Sequence, residues 1–322
     1  MEGDSLKASG VISICIIGSG TMGSSIALNF AKSGIDVDLF DISDQALERG
    51  FFLIKAALET LAENGLTARA GVPAILARIR GATDLDAASP DTAFVIECAP
   101  ENLEIKQRIF RQLESHFPQT TIFASNTSSL SPTKIASVLS KRDRSIAANF
   151  WNPAHLLPLV EIMPGEGTSK ETVQFTREIM VRIGKEPVVL SRETPGYIGN
   201  RLQFALLREA LYLVDSGIAT KEDVDRAVRF GIGRRLTDTG PLETADLGGT
   251  HVFAAICESL FKELCSSSEV SPALLDAARR GDLGYSTGRG LYEWTPEKLE
   301  KIQKNRQRTL IERLRRDQEQ EG

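Results

Sequence analysis

An apolar run of strand length that leads into the sequence GSGTMG sets the strongest constraint on how this chain folds. The run VISICIIG covers residues 11–18, helical spacing follows over residues 21–32, and a second strand-like run, VDLFD, covers residues 37–41. Strand, helix and strand within about thirty residues make a βαβ unit. A continuous apolar strand is covered on both faces, so the sequence predicts a parallel sheet between layers of helices.

The motif GSGTMG is a GxGxxG sequence that opens a helix. The first glycine permits a tight turn, the second lets a pyrophosphate approach the backbone, and the third packs the helix against the strand. The N-terminus of the helix then faces the phosphate charge. The predicted cofactor contacts are therefore Gly18, Gly20, Thr21, Met22 and Gly23.

One acid at the end of the second strand selects the dinucleotide. Asp41 lies where a carboxylate accepts both hydroxyl groups of the adenosine ribose. Because the same charge repels a 2′-phosphate, the sequence predicts NAD rather than NADP.

Strand-like runs return at intervals as far as residue 193. A helical pair over residues 43–81 comes first, and the later runs are TAFVIECA, TTIFAS, SIAANFW, LVEIM and EPVVL. After TPGYIGNRL the spacing is helical, and the charged end of the chain is predicted to be a solvated helix. The pattern predicts a doubly wound, Rossmann-type α/β domain with a mostly parallel sheet over residues 1–193. An all-α domain is predicted over residues 194–322.

Composition and charge exclude several classes of partner. The net charge of −5 is scattered along 322 residues and leaves no basic face for nucleic acid. No apolar run reaches the about 18 residues of a membrane span, and no signal sequence opens the chain. The four cysteines form no metal-binding pattern, so we expect no metal and a cytoplasmic protein. Long apolar helical runs after residue 194 exceed the needs of a small core and predict a homodimer.

Four further segments, taken in order and spacing, resemble the 3-hydroxyacyl-CoA dehydrogenase family. They are ECAPENLEIK, ASNTSSL, NFWNPAHLLPLVE and TPGYIGNRL, and the later TGRGLYEW is similar to the family's C-terminal signature. The resemblance covers residues 11–294. It implies an NAD-dependent dehydrogenase that interconverts a 3-hydroxy acid, or its CoA thioester, with the 3-oxo form.

The resemblance also implies roles for individual polar residues. Glu101 and Lys106 match residues that contact the ribose and phosphates on the nicotinamide side, and Asn152 matches one that lines the nicotinamide pocket. Ser128 and Asn200 match residues that hydrogen-bond the reacting oxygen or its base.

The position of the catalytic base in this resemblance is held by an amide. Glu161 matches the carboxylate that orients the catalytic histidine, and the histidine's own position is Asn149. An asparagine can hydrogen-bond an oxygen but cannot take the proton that an alcohol loses, and removing a general base lowers rates by about 10²- to 10⁴-fold. His155 and His251 are candidates for a displaced base or for contact with the substrate.

Asn149 also leaves open two explanations that need no displaced base. The protein could bind NAD and a ligand with little turnover, as lambda-crystallin illustrates, or the asparagine could be an engineered replacement of histidine.

The sequence points to two substrate classes. The helical pair over residues 43–81 matches the insertion that cradles CoA in acyl-CoA members of the family. The segments LLPLVE and GIGRRLTDTGPLET look more like the subgroup of gulonate 3-dehydrogenase, lambda-crystallin and carnitine dehydrogenase, which act on small hydroxy acids. Arg235 matches an arginine of that subgroup and is suited to bind a carboxylate of the substrate, unless it pairs with Asp238 or another acid of the protein instead.

Overall fold

The predicted parallel sheet is present in the computed structural model, which describes residues 8–11 and 13–321. Its strands are β1 Ser13–Ile17, β2 Asp36–Phe40, β3 Ile79–Ala82, β4 Phe94–Glu97, β5 Ile122–Ser125, β6 Ser145–Phe150, β7 Leu159–Pro164 and β8 Glu186–Val189. Within the described residues they form one eight-stranded sheet in the order β3-β2-β1-β4-β5-β6-β7-β8. Neighbouring strands are parallel except for β6 and β7. The doubly wound, mostly parallel sheet is confirmed.

The strand order reverses at β1, and this reversal locates the ligand crevice. Strand β1 pairs with β2 on one side and with β4 on the other. In doubly wound sheets, ligands bind outside the carboxyl ends of the strands at such a switch point. The GSGTMG loop follows β1 and Asp41 follows β2, so both lie at that end of the sheet.

Alternate residues of β1 pack into two apolar cores, one on each face of the sheet. Ile14 and Ile16 belong to the larger core, whereas Cys15 and Ile17 belong to the smaller one. Because successive side chains of a strand point to opposite faces, a strand covered on both sides must be apolar throughout. This explains the uninterrupted apolar run in the sequence.

The strand β3 was not predicted. The sequence predicts helical structure as far as residue 81, but the helix there ends at Ala77 and Ile79–Ala82 pairs with β2. Arg80 lies opposite Asp38 in this pair and donates two hydrogen bonds to its Oδ1, at 2.6 and 2.8 Å. The Asp38 side chain is buried, so a cross-strand ion pair stabilises an edge strand that has few apolar residues.

The described chain divides into two compact units. The first contains the residues up to Ile198 together with those from Arg306 onward, and the second is Gly199–Asn305. Helices of the first unit are α1 Thr21–Lys32, α2 Asp44–Glu63, α3 Val72–Ala77, α4 Leu103–His116, α5 Pro132–Ala136 and α6 Lys170–Arg182. Helices of the second unit are α7 Gly199–Asp215, α8 Lys221–Phe230, α9 Ile232–Arg235, α10 Pro241–Gly248, α11 Thr250–Leu260 and α12 Pro272–Arg279. The last helix, α13 Pro296–Glu321, begins in the second unit and ends in the first.

The end of α13 differs from the prediction for the charged tail. Ile311 is buried, and Leu310 and Leu314 pack against the larger core of the first unit. The Arg315 guanidinium donates to the Asn64 carbonyl at 2.6 Å, at the end of α2. The prediction of a solvated tail is therefore wrong for this side of α13, because three of its apolar residues pack in or against the larger core of the first unit. The domain ranges 1–193 and 194–322 stay a prediction, and the compact units differ from them in this segment.

The described part of the chain contains neither a membrane-spanning helix nor a cluster of metal-binding side chains. No helix in it has both the length and the hydropathy that crossing a membrane requires. No group of three or more His, Cys, Asp or Glu side chains there is placed to hold a metal ion.

Candidate active site

The glycine loop after β1 is shaped by close backbone contacts. Gly18 has a φ of 102°, and its N–H donates to the Phe40 carbonyl at 2.8 Å, which joins the loop to the end of β2. A Cβ on Gly23 would lie 1.7 Å from the Gly18 carbonyl oxygen, whereas a Cβ on Gly20 would meet no atom within 4 Å. The first N–H groups of a helix have no acceptor within it and attract anions. The open space at Gly20, beside the start of α1, therefore fits a pyrophosphate.

Asp41 is held in place by the glycine loop. Its Oδ2 accepts from the N–H and the hydroxyl of Ser19, at 2.7 and 2.6 Å, and its Oδ1 accepts from the N–H of Ile42 at 2.7 Å. The carboxylate is half-buried. Each of its oxygens can accept more than one hydrogen bond, which leaves capacity for ribose hydroxyl groups. The predicted contact of Asp41 with the ribose stays a prediction, and the sequence analysis missed its partner Ser19, which lies inside the GxGxxG motif.

Gly50 is a second residue of this region that sequence reasoning missed. It lies on α2, and a Cβ there would come within 2.8 Å of both the Cβ and the carbonyl oxygen of Ser19. Helix α2 therefore approaches the loop more closely than any side chain would allow. The available signal was a lone glycine inside a helical pattern, which costs about 1 kcal/mol relative to alanine and usually has a packing reason.

Asn149 and Glu161 face each other across the antiparallel strands β6 and β7. They are paired in register, and Asn149 Nδ2 donates to Glu161 Oε2 at 3.2 Å. The same oxygen accepts from Trp151 Nε1 at 3.0 Å, and Oε1 accepts from the N–H of Ile198 at 2.8 Å. Both Asn149 and Glu161 are buried. The structure brings these two predicted site residues together, and their catalytic roles stay predictions.

Glu101 organises the loop that carries Ser128. Its Oε1 accepts from Thr127 Oγ1 at 2.7 Å, from Ser129 Oγ at 2.9 Å and from the N–H of Ser128 at 3.0 Å. Burial alone would raise the pKa of Glu101, but hydrogen bonds from Thr127 and Ser129 and the charge of Lys106 hold it below its usual value. Ser128 is exposed on this loop, and its predicted contact with the reacting oxygen stays a prediction.

Lys106 lies inside the protein, beneath Glu101. Its amino group donates to both carboxylate oxygens of Glu97, at 2.8 and 3.0 Å, and to the Ala99 carbonyl at 3.1 Å. Glu101 Oε2 lies 3.5 Å from the same nitrogen. Because Lys106 has no exposed surface, it supports Glu97 and Glu101 in this structure, and its predicted direct contact with the cofactor stays a prediction. Sequence reasoning missed Glu97, which opens the same ECAPENLEIK segment.

His155 lies in a turn that packs on α1. Its N–H donates to Ser25 Oγ at 2.9 Å, and its Nδ1 also lies 2.9 Å from that oxygen. The pKa of His155 is lowered to about 4, first by burial and then by the charges of Lys185 and Lys32. An imidazole with this pKa is neutral at physiological pH and is a weak base, which counts against His155 as a displaced base. Asn152 is exposed in the same turn, and its predicted place in the nicotinamide pocket stays a prediction.

Three predicted site residues belong to the second unit. Asn200 is the second residue of α7 and is half-buried, Arg235 ends α9 and is exposed, and His251 is the second residue of α11 and is exposed. Their predicted roles toward the reacting oxygen and the substrate stay predictions.

The family of the chain follows from matches that cover both units. Residues 13–194 match the 3-hydroxyacyl-CoA dehydrogenase, NAD binding domain, and residues 196–294 match the 3-hydroxyacyl-CoA dehydrogenase, C-terminal domain. The chain belongs to the 3-hydroxyacyl-CoA dehydrogenase family. It is an NAD-dependent oxidoreductase that acts on a CH–OH group, so the predicted family, enzyme class and cofactor are confirmed.

Curated relatives of this family member have several names. It is 33% identical over 299 residues to 5-formyl-3-hydroxy-2-methylpyridine 4-carboxylate 5-dehydrogenase of Mesorhizobium japonicum, covering 92% of this chain and 96% of that one. It is 34% identical to 3-hydroxybutyryl-CoA dehydrogenase of Clostridioides difficile, over 87% of this chain and 99% of the relative. It is 36% identical to the human lambda-crystallin homolog, over 73% of this chain and 74% of the relative.

Solved structures of the family agree with this fold. The structure of a 5-formyl-3-hydroxy-2-methylpyridine 4-carboxylic acid 5-dehydrogenase, described as an NAD+ dependent dismutase, matches with a TM-score of 0.89 and 32% identity. That match covers 96% of this chain and 99% of the other. The (S)-3-hydroxybutyryl-CoA dehydrogenase of Ralstonia eutropha matches with a TM-score of 0.75 and 33% identity, over 89% of this chain and 100% of that one.

Proposed function

We propose that the protein oxidises the hydroxyl group of a small hydroxy acid with NAD, and that it does so slowly as its sequence stands. The observation that carries this proposal is the Asn149–Glu161 pair. The carboxylate accepts from Asn149 Nδ2 at 3.2 Å and from Trp151 Nε1 at 3.0 Å, so the support for a base is intact. The side chain it supports is an amide, which does not take up a proton at neutral pH.

Each residue of the site has a distinct part in this reaction. The glycine loop and Asp41 hold the dinucleotide, and NAD supplies the acceptor for the hydride when it is bound. The Ser128 hydroxyl and the Asn149 amide hold the reacting oxygen, and Glu161 fixes the orientation of Asn149. With no base at residue 149, the hydroxyl proton leaves to water, and the rate falls by about 10²- to 10⁴-fold.

The charge of α2 supports a free acid rather than a CoA thioester as the substrate. This helix belongs to the pair that would cradle CoA, whose phosphate groups are anionic. It carries four acidic residues and two basic ones, which are Asp44, Glu48, Glu59, Glu63, Arg49 and Lys55. A net negative helix repels CoA.

Two further observations support a free acid. Helix α13 contacts α2 and so covers part of the helix that would cradle CoA. This helix lies beyond residue 294, where the family match ends. The relative with the TM-score of 0.89 is named for a pyridine carboxylate, which is a free acid.

A second function is favoured by the same asparagine. A protein that binds NAD and a hydroxy acid but turns over little would keep the pocket and dispense with the base. The presence of Asn149 beside an intact Glu161 fits this function as well as slow catalysis. A single-turnover measurement separates the two, because slow catalysis yields one NADH per site, whereas a binding protein yields none.

The test of the proposed function compares the protein with Asn149→His. NADH formation is measured across 3-hydroxy acids and their CoA thioesters. We expect Asn149→His to raise turnover on the best free acid by roughly two to four orders of magnitude, because Glu161 is already in place to orient an imidazole. Gln303→His, which also replaces an amide with histidine, lies at an exposed position of α13 and is the control that should change nothing.

One result would contradict this account of the site. In that result, the protein with Asn149 would turn over rapidly, Asn149→His would leave the rate unchanged, and His155→Ala or His251→Ala would abolish activity. The base would then have moved.

The exposed surface of the second unit supports a homodimer as the working form. It includes large apolar side chains that are exposed in the single chain, among them Phe204, Phe230, Leu242, Leu247 and Phe261. Exposed apolar side chains of this size usually mark an interface. Light scattering at micromolar concentration should therefore give twice the chain mass of 35.1 kDa. A single species at the chain mass would overturn this part of the proposal, and the cytoplasmic location stays a prediction.

A further inference from the structure

The amide of Asn149 has a fixed orientation. Its Nδ2 donates to Glu161 Oε2, which also accepts from Trp151 Nε1 at 3.0 Å. A carboxylate accepts hydrogen bonds, so turning the amide around would place the Asn149 oxygen against another acceptor. The Ile198 N–H, which donates to the other carboxylate oxygen at 2.8 Å, keeps Glu161 from turning away. The Asn149 Oδ1 atom is therefore directed away from Glu161.

The Oδ1 atom of Asn149 is an open acceptor. No residue that the structure describes donates a hydrogen bond to this oxygen, although Asn149 is largely buried, with 6% of its surface exposed. Across the described chain, Arg144 Nε is the buried side-chain nitrogen or oxygen that lacks a partner. Asn149 Oδ1 also lacks a hydrogen-bond partner but is not among the fully buried atoms. This oxygen is therefore accessible to solvent.

We infer that this oxygen makes the site selective for the hydroxyl form of its ligand over the oxo form. The inference rests on the proposed function, in which residue 149 contacts the reacting oxygen. A hydroxyl group donates to Oδ1, whereas a carbonyl oxygen offers only lone pairs to an atom that also has only lone pairs. Leaving a desolvated acceptor unpaired is enough to lower affinity by about tenfold.

An imidazole at the same position would not discriminate in this way. A neutral imidazole presents an acceptor nitrogen and a protonated one presents a donor, so histidine serves the hydroxyl form and the oxo form at different stages. The selectivity therefore belongs to asparagine and to its contact with Glu161.

Dead-end complexes measure this selectivity without turnover. The probes are matched pairs, 3-hydroxybutyrate with acetoacetate, malate with oxaloacetate, and 3-hydroxybutyryl-CoA with acetoacetyl-CoA. The hydroxyl member is titrated by calorimetry in the presence of NADH and the oxo member in the presence of NAD. Each affinity is then divided by that of Asn149→Leu, which has a similar volume and no hydrogen-bonding group, so the difference in cofactor cancels.

We expect Asn149→Leu to weaken the hydroxyl member of the binding pair about tenfold and to leave the oxo member unchanged or tighter. His116→Asn, remote from β6 and β7 at the end of α4, should change neither member. If Asn149→Leu does not fold, Asn149→His gives an independent readout. Its preference for the hydroxyl member should decline as the pH falls through the imidazole pKa, whereas the preference of the protein with Asn149 stays constant.

The two proposals fail in different ways. Equal effects of Asn149→Leu on both members of a pair, or a preference independent of pH in both proteins, would overturn the selectivity while leaving slow oxidation intact. Failure of every pair to bind in the presence of cofactor would overturn the proposed function itself.

Discussion

At the scale of single residues, Gly20 and Gly23 differ in what a methyl group would meet. A Cβ on Gly23 would lie 1.7 Å from a backbone oxygen that cannot move aside, so Gly23→Ala should lower the free energy of unfolding by about 3 kcal/mol or more. Gly20 has an extended conformation and open space, so Gly20→Ala should keep the stability within about 1 kcal/mol. The same methyl group would occupy the space for the pyrophosphate and should weaken NAD binding.

Urea unfolding and NADH fluorescence titrations, made on both variants, check this pair of expectations. A Gly23→Ala protein as stable as its parent, or a Gly20→Ala protein with unchanged NAD affinity, would contradict the assignment of one glycine to folding and the other to binding.

Residues of the site were predictable where their chemistry is local and were missed where it is not. The glycine motif and Asp41 could be placed at the end of β1 and β2 because each lies at a fixed position in a βαβ unit, and their contacts with the cofactor stay predictions. Ser19 and Gly50 come together because α2 packs on the glycine loop. The spacing of residues in the sequence does not predict this contact. The resemblance predicts that Lys106 contacts the cofactor, and the burial of Lys106 against Glu97 is a contact that the sequence analysis did not predict.

At the scale of elements, the turn between β6 and β7 is held by a buried lysine. The Ala154 carbonyl accepts from Lys185 Nζ at 2.5 Å and from Asn29 Nδ2 at 3.0 Å, and Leu157 also accepts from Lys185 at 3.2 Å. Lys185 thus joins the turn that carries Asn152 to the start of β8. Charged side chains are rarely buried without an opposite charge, so the ammonium form is disfavoured here.

This burial predicts how stability depends on pH. Burial first, and then the charge of Lys32, lower the pKa of Lys185 from 10.5 to about 7. Between those values the unfolded chain holds a proton that the folded chain has released, so stability rises with pH. The difference in unfolding free energy between the protein and Lys185→Met should therefore increase from about pH 7 to about pH 10.5 and stay constant below pH 7.

Urea unfolding at a series of pH values gives this difference directly. Lys32→Met is the control for the neighbouring amine, and His155 titrates below the window, with a pKa of about 4. A difference that is constant across the whole range would mean that Lys185 keeps its proton when folded.

Elements with a strong internal pattern were predictable, and β3 shows why others were not. The apolar residues of ILARI have helical spacing, and the sequence gives no sign that Arg80 will meet Asp38 on β2. That ion pair joins residues separated by 42 positions, so only the assembled sheet reveals it. An edge strand with few apolar residues depends on such a partner.

At the scale of the whole molecule, the end of α13 is a structural part of the first unit. Ile311 is 4% exposed and packs in the larger core, whereas Ile302 of the same helix is 42% exposed. Ile311→Ala should therefore lower the free energy of unfolding by about 2–5 kcal/mol. Ile302→Ala should stay within about 1 kcal/mol of the parent.

Thermal and urea unfolding of the two variants make the comparison within one helix and one residue type. Equal effects would show that the helix is attached through its polar contacts rather than through its apolar side. The sequence predicted a helix here, but its few apolar residues could not say which core they would join.

The return of α13 to α2 has a consequence for how the protein is made. The Gln307 amide donates to Thr60 Oγ1 across 247 positions of the chain. At about 5–20 residues per second, a ribosome needs on the order of ten seconds or more to cover that interval. The part of the larger core that Ile311 fills stays open throughout this time. Because Ile311 belongs to the larger core of the first unit, that core can be complete only after this part of α13 has been made.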